Sequence, residues 1–253
     1  MLWAIDVGNT QTVVGRWGNG TWHHVWRLAT DKDRTEDEWA VHLKSLCDLV
    51  GLPFNADQAV MASVVPALIP ILQKCFQKHL NCPMKVLTNG KEVGIPVTYD
   101  PPHAVGSDRI ANALGALDKF QPPIIVVDFG TATTFDVIDK EGVYVGGAIL
   151  PGVRISSEAL AQRAAKLPPI ALKVPDVAIG RNTVQALESG IMWGYAGSVD
   201  AIVRRIQDEL GCKAKVIATG GLGAVFVDLC PDVESFDPYL TLEGLRIAWA
   251  KLP

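Results

Sequence analysis

The chain has 253 residues, with 23 basic and 27 acidic side chains and a formal net charge of −4. This charge excludes an electrostatically driven nucleic-acid binder as the default interpretation. Hydrophobic residues make up 49% of the chain, enough to fold one large domain or two moderate ones. The longest uncharged apolar stretch, 58–73, is shorter than the ~20 residues that span a bilayer, so no transmembrane helix is expected.

The N-terminus and the cysteines predict a cytoplasmic protein. The first residues reach an acid at Asp6 without a basic leader or a small-residue cleavage pattern, which is not typical of a signal peptide. The five cysteines form no Cys-x-x-Cys pair, and their odd number argues against a disulfide framework and against a thiolate zinc site. We expect free, buried thiols.

The first predicted elements are a strand, a tight turn and a returning strand over 2–17. The turn is the run Asp-Val-Gly-Asn-Thr at 6–10, which interrupts two apolar segments. Thr35 and Glu38 have the spacing of a capping box and predict a helix that stops at Gly51.

A short strand near 59–63 comes next, followed by a helix to about Leu80. Pro66 suits the first turn of this helix, and the alternative is that Pro70 bends the helix or delays its start. After a proline-rich connection, Ser107 is well placed to cap a helix that runs to about Phe120.

The second half is predicted to repeat this alternation. It opens with the unbroken apolar run 124–127, which is typical of a strand covered on both faces. Its segments are a strand, turn and strand over 124–140, a strand ending near Ile149, a helix from about Ser156, a long helix over 183–210, a strand over 215–218, a turn at 219–221 and a closing helix from about Leu240. The alternation of strands and helices predicts an α/β architecture.

Two segments half a chain apart share a pattern. Residues 6–12 and 128–134 both read Asp-x-Gly-x-x-x-Thr, and each follows an apolar strand. A duplicated domain is the simplest explanation, and coincidence is the alternative because only three positions are shared.

Each of these turns has the composition of a phosphate-binding loop. Glycine lets backbone N–H groups approach phosphate oxygens, hydroxyl side chains add donors, and the carboxylate can hold a cation. Two such turns facing each other across a cleft would hold a nucleotide. A single Asp-x-Gly is otherwise an ordinary hairpin turn.

Other nucleotide and catalytic motifs are absent from the sequence. There is no Gly-x-x-x-x-Gly-Lys-Ser/Thr loop, no Gly-x-Gly-x-x-Gly after a strand and no Gly-x-Ser-x-Gly elbow. The turn 219–221 is a third place where backbone could approach adenine and ribose closely, or else a generic turn.

The run Gly-Ser-Asp-Arg at 106–109 is a further candidate site. Asp108 lies in the predicted first turn of a helix, where the helix dipole favours a carboxylate that can accept a proton from a hydroxyl. Arg109 could bind a carboxylate or a phosphate. The alternative is ordinary capping by Ser107 and Asp108, with Arg109 paired on the surface.

Taken in order, five motifs of this chain resemble the type III pantothenate kinases. They are 6–10, Tyr99 with 106–109, 128–132, 146–152 and 180–183, which with 219–221 cover nearly the whole chain. The resemblance implies the duplicated actin-like (ribonuclease H-like) α/β fold. It also implies two similar subdomains, 1–120 and 121–253, with the active site in the cleft between them.

The activity implied by the resemblance is ATP-dependent phosphorylation of pantothenate to 4′-phosphopantothenate, the first step of coenzyme A biosynthesis. It implies Mg²⁺ with ATP, a monovalent cation (K⁺ or NH₄⁺) and a homodimer, with neither nucleic acid nor membrane as partner. It assigns Asp108 as the general base and Asp128 as the ligand of the monovalent cation. The implied ATP contacts are Asp6, Val7, Gly8, Asn9, Thr10, Gln11, Thr12, Val13 and Thr131. The implied pantothenate contacts are Tyr99, Gly106, Ser107, Asp108, Arg109 and, across a dimer interface, Thr183.

Three other functions stay open at this point. Another small-molecule kinase of the acetate and sugar kinase superfamily would keep Asp6 and Asp128 but would not need the 106–109 cluster. A ribonuclease H-like nuclease would use Asp6, Asp108 and Asp128 to hold two metals, against which the acidic charge argues. A non-catalytic regulatory homologue would have no evident need for Asp108 and Arg109.

Overall fold

The computed structural model describes residues 1–253 and contains two five-stranded sheets. The first sheet consists of β1 (Leu2–Val7), β2 (Gln11–Gly18), β3 (Thr21–Ala29), β4 (Gln58–Ser63) and β5 (Met84–Val86). The second consists of β6 (Ile124–Phe129), β7 (Ala132–Ile138), β8 (Tyr144–Pro151), β9 (Lys215–Thr219) and β10 (Ser235–Phe236). The helices are α1 (Glu36–Leu49), α2 (Leu68–Leu80), α3 (Ser107–Lys119), α4 (Val153–Arg163), α5 (Thr183–Leu210), α6 (Gly223–Phe226) and α7 (Leu240–Lys251). None of them combines the length and hydropathy needed to cross a membrane.

Both sheets have the same topology. The strand order is β3-β2-β1-β4-β5 in the first and β8-β7-β6-β9-β10 in the second. The central strand, β1 or β6, pairs antiparallel with the strand that follows it and parallel with a later one, β4 or β9. The predicted α/β class and the internal duplication are therefore confirmed.

The chain divides into two compact units, one formed by 1–118 with 240–253 and the other by 119–239. The closing helix α7 thus belongs to the first unit, although it follows the strands of the second. The predicted subdomains 1–120 and 121–253 describe duplicated halves rather than compact units, and that division stays a prediction.

In the first unit, the core forms where β1 packs against α1 and α2. Trp3, Ile5 and Val7 alternate along β1, so all three side chains lie on one face of the sheet. They pack in one apolar cluster with Trp39 of α1 and Phe76 of α2. This packing fixes β1 in the middle of its unit.

In the second unit, the core surrounds β6. All four residues of the apolar run 124–127 are fully buried, as predicted for a strand covered on both faces. Phe129 at the end of the strand stacks on Phe226 of α6, with ring centroids 5.0 Å apart. Helix α5 adds Met192 and Val199 to the same cluster.

Helices α3 and α7 cross closely within the first unit. A Cβ atom at Gly244 would overlap the carbonyl oxygen of Ala111, and one at Gly115 would overlap that of Leu240. Thr241 donates a hydrogen bond to Asn112 Oδ1 at 2.7 Å beside this crossing. The contact fixes α3, whose first turn carries Asp108.

Two helices, α2 and α4, begin at residues other than the predicted ones. Helix α1 has the predicted capping box between Thr35 and Glu38. Helix α2 begins at Leu68, so Pro66 precedes the helix, and Pro70 occupies the first turn, where a missing N–H costs nothing. Helix α4 begins at Val153 rather than near Ser156.

The cysteines are all free, and four of them are buried as predicted, whereas Cys212 is exposed. Burial raises the pKa of Cys75 and of Cys230 to about 12. These two thiols therefore stay protonated at neutral pH and behave as apolar core groups.

Candidate active site

The first predicted phosphate-binding turn lies between β1 and β2. Asp6 is half-buried near the end of β1, and the Gly8 N–H closes the turn by donating to the Gln11 carbonyl oxygen at 3.0 Å. A Cβ atom at Gly8 would lie 2.9 Å from that oxygen, so glycine is required there. Asn9, Thr10 and Gln11 are exposed at the tip.

Not every residue of the segment 6–13 presents its side chain at this turn. Val7 and Thr12 are fully buried. The Thr12 hydroxyl lies 3.0 Å from that of Thr30, a residue that follows β3. Val7 and Thr12 therefore shape the turn from within the sheet, and the exposed residues 9–11 present its surface.

The second turn, between β6 and β7, is built in the same way. Asp128 is half-buried on β6, and the Gly130 N–H donates to the Ala132 carbonyl oxygen at 3.1 Å. Thr131 is exposed at the tip, and its carbonyl oxygen accepts the Gly152 N–H at 3.1 Å. A Cβ atom at Gly152 would overlap this oxygen. Only glycine therefore allows the backbone after β8 to pack this closely against the turn.

The two turns differ in length by one residue, which corrects the sequence match between them. In the first hairpin Asp6 pairs with Val13 and Val7 with Thr12. In the second, Asp128 pairs with Thr134 and Phe129 with Thr133. The threonine equivalent to Thr12 is therefore Thr133, not the Thr134 that the shared Asp-x-Gly-x-x-x-Thr pattern predicts.

The turn 219–221 lies directly against Asp128. Thr219 pairs with Asp128 across β9 and β6, and its hydroxyl donates to the Asp237 carbonyl oxygen at 2.7 Å. Gly220 has a φ of +86°, and a Cβ atom there would overlap Asp128 Oδ1. This turn therefore shapes the surroundings of Asp128, a contact that sequence spacing did not indicate.

Asp128 pairs with Thr134 of β7 and with Thr219 of β9. The structure contains no cluster of three His, Cys, Asp or Glu side chains that could hold a metal ion. The assignment of Asp128 to a monovalent cation stays a prediction.

Ser107 connects the start of α3 to the end of β4. Its Oγ accepts the Ser63 N–H at 3.1 Å and donates to the Ser63 carbonyl oxygen at 3.4 Å. Ser107 is thus the first residue of α3 and not its cap, which corrects the prediction. Because Ser63 pairs with Val7 across the parallel strands β4 and β1, the start of α3 and the first turn lie at the same edge of the sheet.

Asp108 is held by its own helical turn. Its Oδ1 accepts the Arg109 N–H at 2.8 Å, and a Cβ atom at Gly106 would overlap that oxygen. Glycine at 106 therefore lets the carboxylate fold back over the helix start. Burial raises the pKa of Asp108 above its ordinary value of 3.8, against the opposing effects of the Arg109 N–H and the Arg109 positive charge.

Arg109 is only 8% exposed, so the alternative that it pairs on the surface is wrong. Its charge acts on Asp108 from within the fold. Tyr99 is half-buried in the irregular segment that leads to the short 3-10 turn Pro102–Ala104 and from there to α3. Tyr99, Asp108 and Arg109 all belong to the first unit.

Thr183 lies in the second unit as the exposed first residue of α5. The preceding Asn182 caps this helix by accepting the Gln185 N–H at 2.9 Å. Sequence reasoning missed three residues next to these features. The Thr30 hydroxyl donates to the Gly8 carbonyl oxygen, the Ser63 backbone bonds the Ser107 hydroxyl, and the Tyr195 hydroxyl donates to the Pro151 carbonyl oxygen. No local motif marks them, because each reaches the site from a distant part of the chain.

A family model for type III pantothenate kinases matches residues 2–205. A type III pantothenate kinase from Thermomicrobium roseum is 45% identical over 253 residues, which are 100% of this chain and 98% of that protein. The chain belongs to the type III pantothenate kinases. The family predicted from the motifs is confirmed.

Solved structures share the fold of this type III kinase at low sequence identity. A protein from Campylobacter jejuni assigned to the Baf family of transcriptional activators has a TM-score of 0.63 and 19% identity, with 97% of this chain and 96% of that chain covered. A protein from Sinorhizobium meliloti assigned as a 2-dehydro-3-deoxygalactonokinase has a TM-score of 0.59 and 12% identity, with 99% and 95% covered. These likenesses concern the fold, and with the repeated sheet topology they confirm the duplicated actin-like architecture.

The raised pKa of Asp108 predicts that this kinase gives up stability at neutral pH to keep the carboxylate. An aspartate whose pKa is higher in the folded state makes its full contribution to stability at a pH below its unfolded-state pKa of ~3.9. This contribution is lost as the pH rises through the folded-state pKa. Asp108→Asn keeps the acceptor for the Arg109 N–H and removes the buried charge. We expect it to melt at or above the wild-type temperature at pH 7, with the difference shrinking towards pH 4, as measured by thermal denaturation.

The matched control is Asp118→Asn, an exposed carboxylate near the other end of α3, which should change the melting temperature little. If Asp108→Asn melts clearly below the wild type at pH 7, the Asp108 carboxylate stabilises the fold as a structural cap, and its burial does not cost stability.

Proposed function

We propose that this chain transfers the γ-phosphoryl group of ATP to the primary hydroxyl of pantothenate, giving 4′-phosphopantothenate and ADP, with Asp108 as the general base. Membership of the type III pantothenate kinases supports this reaction. The observation that carries the residue assignment is the Asp108 carboxylate, half-buried at the start of α3 beside the buried Arg109. A desolvated carboxylate is a stronger base than a solvated one.

Phosphoryl transfer needs alignment and charge neutralisation more than covalent help. Asp108 would accept the hydroxyl proton of pantothenate as the oxygen forms its bond to the γ-phosphorus and the bond from that phosphorus to the β,γ-bridging oxygen breaks. The Arg109 charge opposes the rise that burial causes in the pKa of Asp108, and so favours the ionised carboxylate. The hydrogen bond from the Arg109 N–H holds one carboxylate oxygen, so the other is the candidate acceptor.

Each of the two hairpin turns would supply donors for the phosphates of ATP. The exposed tip residues Asn9, Thr10, Gln11 and Thr131 would approach the phosphates, with Gly8 giving the backbone its close approach. Asp6 at the end of β1 would hold the Mg²⁺ that accompanies ATP and offsets the charge on its phosphates.

Pantothenate would bind next to the start of α3. Tyr99, Gly106 and Arg109 would form its pocket with Asp108. Ser107 would act through position rather than contact, because its hydroxyl is already bonded to both backbone groups of Ser63. The remaining predicted contact, Thr183, would come from the second copy of a homodimer.

The homodimer would form on the exposed face of α5. Gly190, Gly194 and Gly197 line this face, and a Cβ atom at any of them would meet nothing within 4 Å. Trp193 beside them is 42% exposed. Each glycine weakens a helix by ~1 kcal/mol relative to alanine. Because these three contact nothing within the chain that would require glycine, their presence favours close packing of α5 against a partner.

We expect wild-type protein to release ADP from MgATP only when pantothenate is present, and Asp108→Asn to lose ~10²–10⁴-fold in turnover because an amide cannot accept the proton. The measurement is ADP formation by a coupled assay, with 4′-phosphopantothenate identified by mass spectrometry. Asp118→Asn is the control. Turnover of Asp108→Asn above about a tenth of the wild-type rate contradicts the base assignment, because a general base is worth ~10²-fold or more, and ADP release without pantothenate contradicts the reaction.

We expect turnover to depend on K⁺ or NH₄⁺, because the family resemblance assigns Asp128 as the ligand of the monovalent cation. Turnover should be high in either ion and low in sodium, and Asp128→Ala should lose the ion dependence together with most of the activity. The assay compares rates in buffers containing one monovalent cation each. Asp228→Ala, an exposed aspartate of the same unit, should behave as the wild type. Equal wild-type rates in sodium-only buffer would show that Asp128 holds no such ion.

Gly194→Arg should dissociate the dimer without disturbing the protomer, because its side chain would enter open space on α5. Sedimentation velocity should show a dimer for the wild type and an inactive monomer for the variant. Glu209→Arg, at an exposed position near the end of the same helix, should remain a dimer. A fully active monomeric wild type at assay concentrations would overturn the proposed role of a partner.

A further inference from the structure

The two hairpins share a feature beyond their glycine turns. Thr12 and Thr133 occupy the same register position, each opposite the residue that follows the aspartate of the central strand. Both are buried, and each hydroxyl is bonded to a hydroxyl from another element, Thr30 or Tyr195. Each half therefore has a buried threonine hydroxyl bonded to a half-buried hydroxyl behind its turn.

In the first hairpin the pair ends on the turn itself. The Thr30 hydroxyl donates to the Gly8 carbonyl oxygen at 2.7 Å, and the Thr30 N–H donates to the Thr10 carbonyl oxygen at 3.0 Å. Because a carbonyl oxygen can only accept, the Thr30 proton goes to Gly8, and the Thr12 hydroxyl must donate to Thr30 across 3.0 Å. The chain of bonds runs from the sheet interior to the backbone of the turn.

In the second hairpin the pair ends on the backbone that supports the turn. The Tyr195 hydroxyl lies 2.7 Å from Thr133 Oγ1 and donates to the Pro151 carbonyl oxygen at 3.0 Å. The Pro151 carbonyl and the Gly152 N–H belong to the same peptide group, and the Gly152 N–H donates to the Thr131 carbonyl oxygen. Tyr195 thus holds one end of a peptide group whose other end holds Thr131.

We propose that Thr30 and Tyr195 are positioning residues that fix the two phosphate-binding turns for ATP, an inference that rests on the proposed function. Neither is required to touch ATP. Each ties a carbonyl oxygen at or behind a turn to a buried threonine, which restricts rotation of the peptide groups in that turn. Backbone N–H groups bind phosphate well only when their directions are set beforehand.

Thr30→Val is nearly isosteric and removes only the hydroxyl, leaving the Gly8 carbonyl oxygen and the Thr12 hydroxyl without this partner. We expect the KM and the Kd for MgATP to rise roughly ten-fold, the effect of one lost bond at a buried polar group, with the KM for pantothenate changing less than about two-fold. Thr30→Ser keeps the hydroxyl and should restore near-wild-type values.

Tyr195→Phe tests the second hairpin with a variant that keeps the ring packed against Phe226, 5.3 Å away between centroids. It should raise the KM and the Kd for MgATP in the same way. Thr21→Val and Tyr239→Phe are matched controls at exposed positions of the same two units and should leave both constants unchanged. The Kd is measured by calorimetry without pantothenate, so it does not depend on turnover.

The outcomes separate this inference from the proposed function. If the wild type binds MgATP but does not phosphorylate pantothenate, the proposed function fails, while the Kd comparison still tests the hydroxyls. Unchanged Kd values in both Thr30→Val and Tyr195→Phe overturn the inference. A loss of MgATP affinity in Thr30→Val that Thr30→Ser does not restore also overturns it. The same holds if the KM values for MgATP and pantothenate rise equally and the melting temperature falls, because that result indicates a structural role alone. If Thr30→Val does not fold, Thr30→Ser and Tyr195→Phe decide by the same criteria.

Discussion

Both halves of this kinase depend on hydrogen bonding along both edges of one central strand. The strands β1 and β6 each lie between an antiparallel and a parallel neighbour, so neither can slip without breaking two ladders. Their apolar side chains are buried, and the aspartate near each end is held at the point where the chain turns. This pairing on both edges of β1 and β6 fixes the positions of Asp6 and Asp128 and of the turns that follow them.

The candidate base shows how the fold accommodates a group that weakens it. Asp108 lies in a helix that is fixed at its start by Ser107 and along its length by the glycine crossing with α7. This packing keeps the carboxylate desolvated even though its charged form would gain from water. A carboxylate held in such a place is more basic than a solvent-exposed one, and that basicity comes at the expense of folding stability.

Local sequence signals predicted much of this molecule. The capping box at Thr35, the apolar run 124–127 and the repeated Asp-x-Gly turns are all present where they were expected. Helix starts near proline and glycine were less well predicted, because Pro66 and Pro70 both suit a first turn and only the packing of α2 chose between them. The role of Ser107 as a link to Ser63 was missed, because a capping serine and a serine bonded to a strand look alike in sequence.

The sequence by itself determined the family, the duplication and the residue types at each turn, because these depend on the order of residues along the chain. Tertiary structure alone decided which residues meet. It placed Gly220 against Asp128, made Thr133 rather than Thr134 the counterpart of Thr12, and brought Thr30 and Tyr195 behind the turns. The physical reason is that these contacts follow from strand register and helix packing between distant segments, and a one-residue difference in a turn changes them without altering any local pattern.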